Sequence, residues 1–281
     1  MVKNRLNCPG LYWLKKPEVL LVVVSSVLAL IVADVSLNLL LGSIYKPTKY
    51  GWTITADRTK HRTVQDQPGQ FRTVRDQTFK YGFKRWGNPK TSHTKVLILG
   101  DSFTQMNVVS NGEEWYAYLE NAFPAVEWFV YGGGGYGSLQ EYMILDDYID
   151  EIQPDLILWQ FCDNDYPNNL YAWDRKTYPH NNFRMRPYLE QGDIVFKLPL
   201  PLPWLRKYSK IADLLLSVYD ARMKKGKPVG VTPTAQEQAE AHRVTLEILR
   251  LARDERLTYH SFSLAPAHLL PQKKRSVQEQ T

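Results

Sequence analysis

Three short stretches carry residue types that together could transfer an acyl group. The apolar run Lys95 to Leu99 stops at Gly100, and Asp101 and Ser102 follow at once. Gly132-Gly133-Gly134-Gly135 leads into Tyr136 and Gly137, and Cys162-Asp163-Asn164-Asp165 closes a third apolar segment. A serine hydroxyl becomes a nucleophile when a base takes its proton. Backbone N–H groups bared by glycine, together with an amide side chain, can stabilise the oxyanion that forms. Ser102, Gly135 and Asn164 are therefore the candidate site, as nucleophile, backbone donor and side-chain donor. Asp101 and Ser102 also have a plainer reading, as caps of the helix that follows.

The elements that must position these residues can be read from the pattern around them. A short apolar run bounded by a turn signal reads as a buried, parallel strand, which describes Lys95 to Leu99, Val126 to Tyr131 and Asp155 to Phe161. Between them lie two helices. One opens at Asn111 to Glu114 and buries Trp115, Leu119, Ala122 and Phe123. The other starts with a capping box, Ser138 and Glu141, and faces inward through Leu139, Tyr142, Leu145, Tyr148, Ile149 and Ile152. Strand and helix in alternation with short connections give right-handed crossovers and a parallel sheet in three layers. Such a sheet brings all three polar strand ends to one edge, where ligand chemistry collects.

Residues 166–232 break the rhythm, with Tyr166, Tyr171, Trp173, Tyr178, Phe183 and Tyr188 interleaved with Arg175, Arg184 and Arg186. An insertion of that length reads as a cap over the site or as a surface excursion. A short amphipathic helix follows around Lys210 to Met223, a longer one opens at Thr232-Pro233, and a fourth strand runs from Leu257 to Leu264.

The N-terminus has a different character. Lys3, Arg5, Lys15 and Lys16 precede an almost wholly apolar run from Val19 to Leu41. At about 1.5 Å per residue that run is long enough to cross a hydrocarbon core of roughly 30 Å. Ile31-Val32-Ala33 is a poor small-x-small cleavage site, so a signal anchor is expected rather than a cleaved leader. Asp34 then lies toward one interface. Lys/Arg counts on the two flanks nearly balance and leave orientation to the general preference for an internal N-terminus. Residues 43–94 are polar, rich in Arg, Lys, Gln and Thr, and are expected to form an irregular stalk whose aromatics pack onto the main body.

Composition narrows the classes. The 281 residues are 44% hydrophobic, enough for a full core, and the net charge is +6. The basic residues are scattered among 29 acids, apart from a cluster between Arg58 and Lys90 and another at Lys224-Lys225, without zinc-finger spacing or a helical basic face, so no nucleic-acid partner is expected. Two cysteines, Cys8 and Cys162, support neither a disulfide framework nor a Cys-rich metal site. No cofactor and no metal are expected.

Gly100-Asp101-Ser102, the glycine block ending at Gly135, and Asn164-Asp165 resemble blocks I, II and III of the SGNH (GDSL-type) hydrolases. The match runs from about Lys95 to Asn169, with similar element order to about Leu264. The resemblance implies a flavodoxin-like α/β/α sandwich. It assigns Ser102 as nucleophile, the N–H groups of Ser102 and Gly135 as oxyanion donors, and the Asn164 side chain as the third donor. Cys162 stands where block III usually has glycine, and Val130 where an asparagine often precedes the glycines. The family's base is a histidine three residues after an aspartate near the C-terminus, and no aspartate here is followed that way. His268, His260, His242, His180, His93 and His61 are the histidines present, of which His180 in the cap is the one retained as a candidate.

The chain thus reads as a basic tail (1–16), a transmembrane signal anchor (17–42), a stalk and lead-in (43–94), an SGNH-like α/β domain (95–270) with a cap insertion (166–232), and a disordered tail (271–281). The expected function is that of a serine esterase or O-acetyl transferase acting on an acylated envelope glycan through a Ser102 acyl-enzyme. The alternative is a shortened or incompetent domain of the same fold that binds glycan or a membrane partner, or one whose base a partner supplies. The localisation expected is a single-pass membrane protein with its α/β domain on the extracytoplasmic side.

Overall fold

The structure is a computed structural model that describes residues 16–41, 48–177, 184–224, 232–256 and 261–266. In chain order its main elements are α1 (Pro17–Leu41), β1 (Arg58–Gln67), β2 (Gln70–Thr78), β3 (Arg85–Trp86), β4 (Lys95–Gly100), α2 (Ser102–Gln105), α3 (Trp115–Ala122), β5 (Glu127–Gly132), α4 (Ser138–Ile152) and β6 (Leu156–Phe161). Then come α5 (Asp165–Asn169), α6 (Tyr171–Asp174), β7 (Arg186–Glu190), β8 (Asp193–Lys197), α7 (Pro203–Tyr208), α8 (Lys210–Lys224), α9 (Ala235–Arg256) and β9 (Ser261–Pro266). The chain divides into two compact units, one of Met1–Tyr45 with Leu202–Gly226 and one of Lys46–Pro201 with Lys227–Thr281.

The larger unit is mixed α/β, built on a sheet of order β3-β5-β4-β6-β9. Strands β5, β4, β6 and β9 run parallel, and β3 pairs antiparallel with β5 at one edge. Strand β4 is central because its side chains are apolar on both faces. Val96 and Ile98 pack with Val130 and with Tyr116 of α3, while Leu97 and Leu99 join residues of α4 and α9. All are buried, and each such side chain stabilises the fold by about 1.5–3 kcal/mol. From β4 the chain goes to one side for β5 and then crosses to the other for β6. The carboxyl end of β4 is therefore the point where the connections part, which in open α/β sheets is where ligands bind.

Two helix starts fall one or two residues from the expected positions. For α4 the N-cap is Gly137, which has no side chain to complete a capping box; its N–H donates to Gln140 Oε1 at 3.3 Å, and Glu141 is freed for the interior. For α9 the box is Thr234 with Glu237. The Glu237 N–H donates to Thr234 Oγ1 at 3.2 Å, and the Thr234 N–H donates to the Glu237 carboxylate at 3.0 Å. The fourth strand is β9, described over Ser261–Pro266; its expected beginning, residues 257–260, lies outside the described residues.

The largest difference from the sequence reading is in residues 43–94. Instead of an irregular stalk, β1 and β2 form an antiparallel hairpin, in register from Arg58↔Thr78 to Gln65↔Phe71 and shifted at Asp66 before Gln67↔Gln70. Its turn is closed by Pro68 and by Gly69, which takes φ +78. The buried Lys84 ammonium holds the hairpin, donating to Asp76 Oδ1 at 2.7 Å. The segment just before the hairpin is also fixed, because Tyr136 Oη donates to the Trp52 carbonyl at 2.6 Å and Gln140 Nε2 to the Tyr50 carbonyl at 2.7 Å.

In the smaller unit, α1 is predominantly apolar, with a mean hydropathy of 2.6 over an 18-residue window within Pro17–Leu40 and none of that window buried. It is, among the described residues, the one helix long and apolar enough to cross a membrane, and an N-terminal signal sequence would pass the same test.

Candidate active site

Parallel register sets three polar loops at one level. Gly100 pairs with Gly132 of β5 on one side and with Gln160 of β6 on the other. The loops after the three strands carry Ser102, Gly135 and Asn164, and all three residues line one cavity of about 790 Å³. The structure thus brings Ser102, Gly135 and Asn164 to one cavity, while His180 lies outside the described residues.

Ser102 is exposed at the first position of α2. That turn is shaped by Asp101, which is wholly buried and accepts the Phe103 N–H at 2.9 Å as N-cap. So the capping reading holds for Asp101, and capping by Asp101 is what presents Ser102 to the cavity. The turn lies flat on the sheet because Gly132 has no Cβ. A methyl there would stand 2.1 Å from Gln105 N and 2.5 Å from the Thr104 carbonyl carbon. Thr104 also hydrogen-bonds Gln160 of β6, pinning the far side.

Gly135 takes φ +76 in a turn closed by the Tyr136 N–H on the Gly133 carbonyl at 2.9 Å. That backbone conformation favours glycine. Asn164 is exposed at the mouth, and its Nδ2 donates to Asp101 Oδ2 at 2.9 Å. A primary amide carries two N–H bonds. One holds Asp101, and the second can point into the cavity. Ser102 Oγ lies 3.4 Å from the same Asp101 oxygen, a long contact. Among the described residues no acceptor takes the N–H of Ser102 or of Gly135, which leaves both open to an oxyanion.

Beneath these loops lie three buried acids. Glu141 is enclosed by α4 and β6, where the Trp159 indole N–H donates to its carboxylate. Burial, then the nearby Asp165 and Asp101 charges, raise its carboxyl well above the ordinary 4.5. Asp165 is raised likewise by burial and by Asp101, against the Cys162 N–H that it accepts at 3.0 Å and the distant Arg186. Cys162 sits among these acids with its Sγ 3.7 Å from Asp101 Oδ1. Burial first and then Asp101 push its thiol up, away from the thiolate that a nucleophile needs. Cys162 is a packed residue.

No histidine lines the cavity among the described residues. His61 is on β1, but side chains alternate along a strand, so Arg58, Lys60 and Arg62 line the cavity while His61 is exposed outside it. His93 precedes β4 at the opposite end of the sheet, near Glu127. His242 on α9 packs on Tyr166 with ring centroids 4.3 Å apart. His180, His260 and His268 lie outside the described residues. Nor is there any group of His, Cys, Asp and Glu fit to hold a metal ion, again among the described residues.

The sequence shows a basic cluster beginning at Arg58 but not that it walls the cavity. Arg58, Lys60 and Arg62 come from β1 and Arg184 from the segment before β7. Arg62 shares Asp76 with the buried Lys84, at 3.5 Å. Arg58, Lys60 and Arg184 have no carboxylate partner among the described residues, and the Arg184 guanidinium lies 5.5 Å over the Trp52 ring. Desolvation, then Arg58 and Arg62, lower the Lys60 ammonium pKa from its ordinary value, as expected for a crowded cationic surface. The available signal was the i, i+2, i+4 spacing of the three cations. Gln105, Asn107 and Asn168 add amides to the lining, which also includes Asp76, Thr78 and Thr177.

No protein-family model matches the chain, and no curated protein matches it. Solved structures give distant neighbours. AlinE4, an SGNH-hydrolase family esterase, is 21% identical over 58% of this chain and 97% of its own, with a TM-score of 0.26. A Bacteroides fragilis protein described as an acylhydrolase is 15% identical over 59% of this chain and 91% of its own, with a TM-score of 0.22. Likeness at that level carries no argument about this chain, so its chemistry has to be argued from the cavity.

Proposed function

We propose that the protein is a serine acyl-ester hydrolase or O-acyl transferase of the SGNH type, acting on an acylated, anionic glycan of the cell envelope. The observation that carries this reading is the meeting of exposed Ser102, positive-φ Gly135 and Asn164 in one cavity at the end of the central strand. The flavodoxin-like arrangement of the sheet and the envelope location, through α1 as a membrane anchor, belong to the same proposal.

In that mechanism Ser102 Oγ attacks the ester carbonyl and gives up its proton to a base. The carbonyl oxygen becomes an oxyanion held by the N–H groups of Ser102 and Gly135 and by the second Asn164 N–H. Collapse of the tetrahedral species breaks the ester bond, and the sugar hydroxyl leaves with a proton. Water or an acceptor hydroxyl then takes the acyl group from Ser102. An anionic substrate is favoured because Arg58, Lys60 and Arg184 face the cavity without ion pairs among the described residues, and Asp76, the acid in the same lining, is already paired with Lys84 and Arg62. Buried or crowded cations lose hydration that a carboxylate or phosphate restores.

A second reading is supported by one observation, the lack of an imidazole among the described residues lining the cavity. It is that the domain binds such glycans without turning them over.

Acetate release by the full chain from acetylated polygalacturonate, against acetylated xylan, tests both readings. The proposal expects release from the polyuronate in preference, weakened by salt and abolished by Ser102→Ala. Release that survives Ser102→Ala would overturn it. Salt-sensitive binding of the polyuronate without any release would favour the second reading.

A further inference from the structure

Helix α8 is folded the wrong way round for water. Its inner face is polar: Asp213 and Asp220 are buried and both meet the guanidinium of Arg206 from α7, Asp213 at 3.3 Å, and Ser217 Oγ is 3.4 Å from the same group. Arg206 itself is 2% exposed. The opposite face is apolar and bare, with Leu214 and Leu215 each 65% exposed and Val218 and Tyr219 alongside. These positions recur at i, i+1, i+4 and i+5, one stripe of a helix. Trp204 and Tyr208 of α7 are equally bare. A soluble helix hairpin would bury the leucines and expose the aspartates.

The same compact unit contains the apolar α1, and the two are joined at a defined point. Asp34 Oδ1 accepts the Ile211 N–H at 2.9 Å, at the start of α8. Asn38 adds a contact to the Tyr208 carbonyl at 3.4 Å, while also donating to the Asp34 carbonyl at 2.9 Å. Asp34 and Asn38 are two of the polar residues that interrupt the apolar run, and here both are used in holding α7 and α8. Asp34 is about 10 Å from the C-terminal end of α1 at the helical rise per residue. If α1 spans a hydrocarbon core of roughly 30 Å, it overhangs the core by only about 4 Å at each end, so Asp34 lies about 6 Å below the headgroup boundary, within the roughly 5–10 Å to which interfacial helices sink.

We propose that α7 and α8 form an interfacial hairpin, lying in the leaflet at the C-terminal end of α1 with Leu214, Leu215, Val218 and Tyr219 among the acyl chains. Three features point to lipid as the occupant: the inverted polarity, the attachment to α1 at interfacial depth, and the composition of the edge. Trp204 and Tyr208 are the aromatic types found at headgroup level, and Lys207 and Arg222 are exposed cations suited to lipid phosphates. The paired Arg206, Asp213 and Asp220 are then shielded from solvent in the manner of polar groups inside a membrane protein.

This inference rests on the reading of α1 as a membrane span, and its test separates the two. The full chain, with Cys8→Ala and Cys162→Ala, is placed in phosphatidylcholine–phosphatidylglycerol nanodiscs carrying one nitroxide, at Val218→Cys, Leu30→Cys or Tyr118→Cys. Collisions with oxygen report lipid, and collisions with a water-soluble nickel chelate report solvent. The expected result is that the Val218 label behaves like the Leu30 label, oxygen-accessible and nickel-shielded, while the Tyr118 label meets nickel. A lipid-exposed Leu30 label beside a nickel-accessible Val218 label overturns the hairpin proposal alone. A Val218 label shielded from both reagents means a protein partner covers the face and overturns it too. A nickel-accessible Leu30 label overturns the span reading and the proposal with it.

Discussion

Two buried ionic clusters in this chain are built on opposite principles. In the smaller unit Arg206 is matched by Asp213 and Asp220, so charge meets charge and both helices are fixed around it. In the larger unit Glu141 and Asp165 lie with Asp101 behind the candidate site, and Glu141 has no cation against it among the described residues. The first cluster keeps its charges by pairing them. The second sheds charge by holding protons, since an isolated buried carboxylate costs more than its protonated form. The difference shows how each region is built: one fixes two helices through paired charge, and in the other burial and crowding raise the carboxyls of Glu141 and Asp165 beneath the proposed site.

The largest expected effect breaks the paired cluster. Arg206→Ala strands two buried carboxylates and should cost about 3–5 kcal/mol locally. Hydrogen exchange on the full chain in nanodiscs would read this as lost protection across α8. The triple change Arg206→Met, Asp213→Leu, Asp220→Leu should restore it, because removing both signs together leaves no unpaired charge. Unchanged protection in the single variant would mean that the ion pairs do not hold the helices.

Next in size is Asn164→Ala, which takes away a proposed oxyanion donor and one support of Asp101. Loss of one such donor amounts to about 3 kcal/mol of transition-state stabilisation, on the order of a hundredfold or more in kcat. KM should move little, since the donor acts on charge that forms only during reaction. An unaltered kcat would leave the amide only its contact with Asp101.

The smallest effect tests the protonated cluster. Glu141→Gln replaces a neutral acid with a group of the same shape, and the Trp159 N–H keeps an acceptor. Stability at mildly acidic pH should change by less than about 1 kcal/mol. The sign with pH follows from the raised carboxyl. Above its ordinary 4.5 the unfolded chain releases a proton that the folded chain keeps, so the native protein loses stability as pH rises. In Glu141→Gln that loss should shrink, leaving the part due to Asp165. Thermal midpoints from about pH 5 to 8 check it, and equal slopes in the two proteins would mean that Glu141 is ionised in both states.

Some of this was legible in the sequence, for identifiable reasons. Strands β4, β5 and β6 are buried on both faces and read as apolar runs ending in glycine or polar residues, so Ser102, Gly135 and Asn164 could be placed together before any coordinates. The β1–β2 hairpin could not. Arg58 to Gln67 contains one apolar residue, Val64, and its order comes from pairing with β2 and from the buried Lys84, both non-local. With it went the basic wall of the cavity. Helix α8 was readable as amphipathic, but periodicity gives two faces and does not say which is inward. Arg206, one helix away, decides that. The helix starts shifted by one or two residues because Ser138 and Thr232 are acceptable caps whose neighbours, Gly137 and Thr234, make the hydrogen bonds instead.

The central claim is that Ser102 is an activated nucleophile. Its most direct test is to treat the full chain with a fluorophosphonate, which reacts with activated serines without needing the natural substrate, and to map the adduct by peptide mass spectrometry. Ser102 should carry the label, Ser102→Ala should carry none, and Cys162→Ala should label as the native chain does. A folded native chain that takes no label at Ser102, or takes it equally elsewhere, would contradict the account.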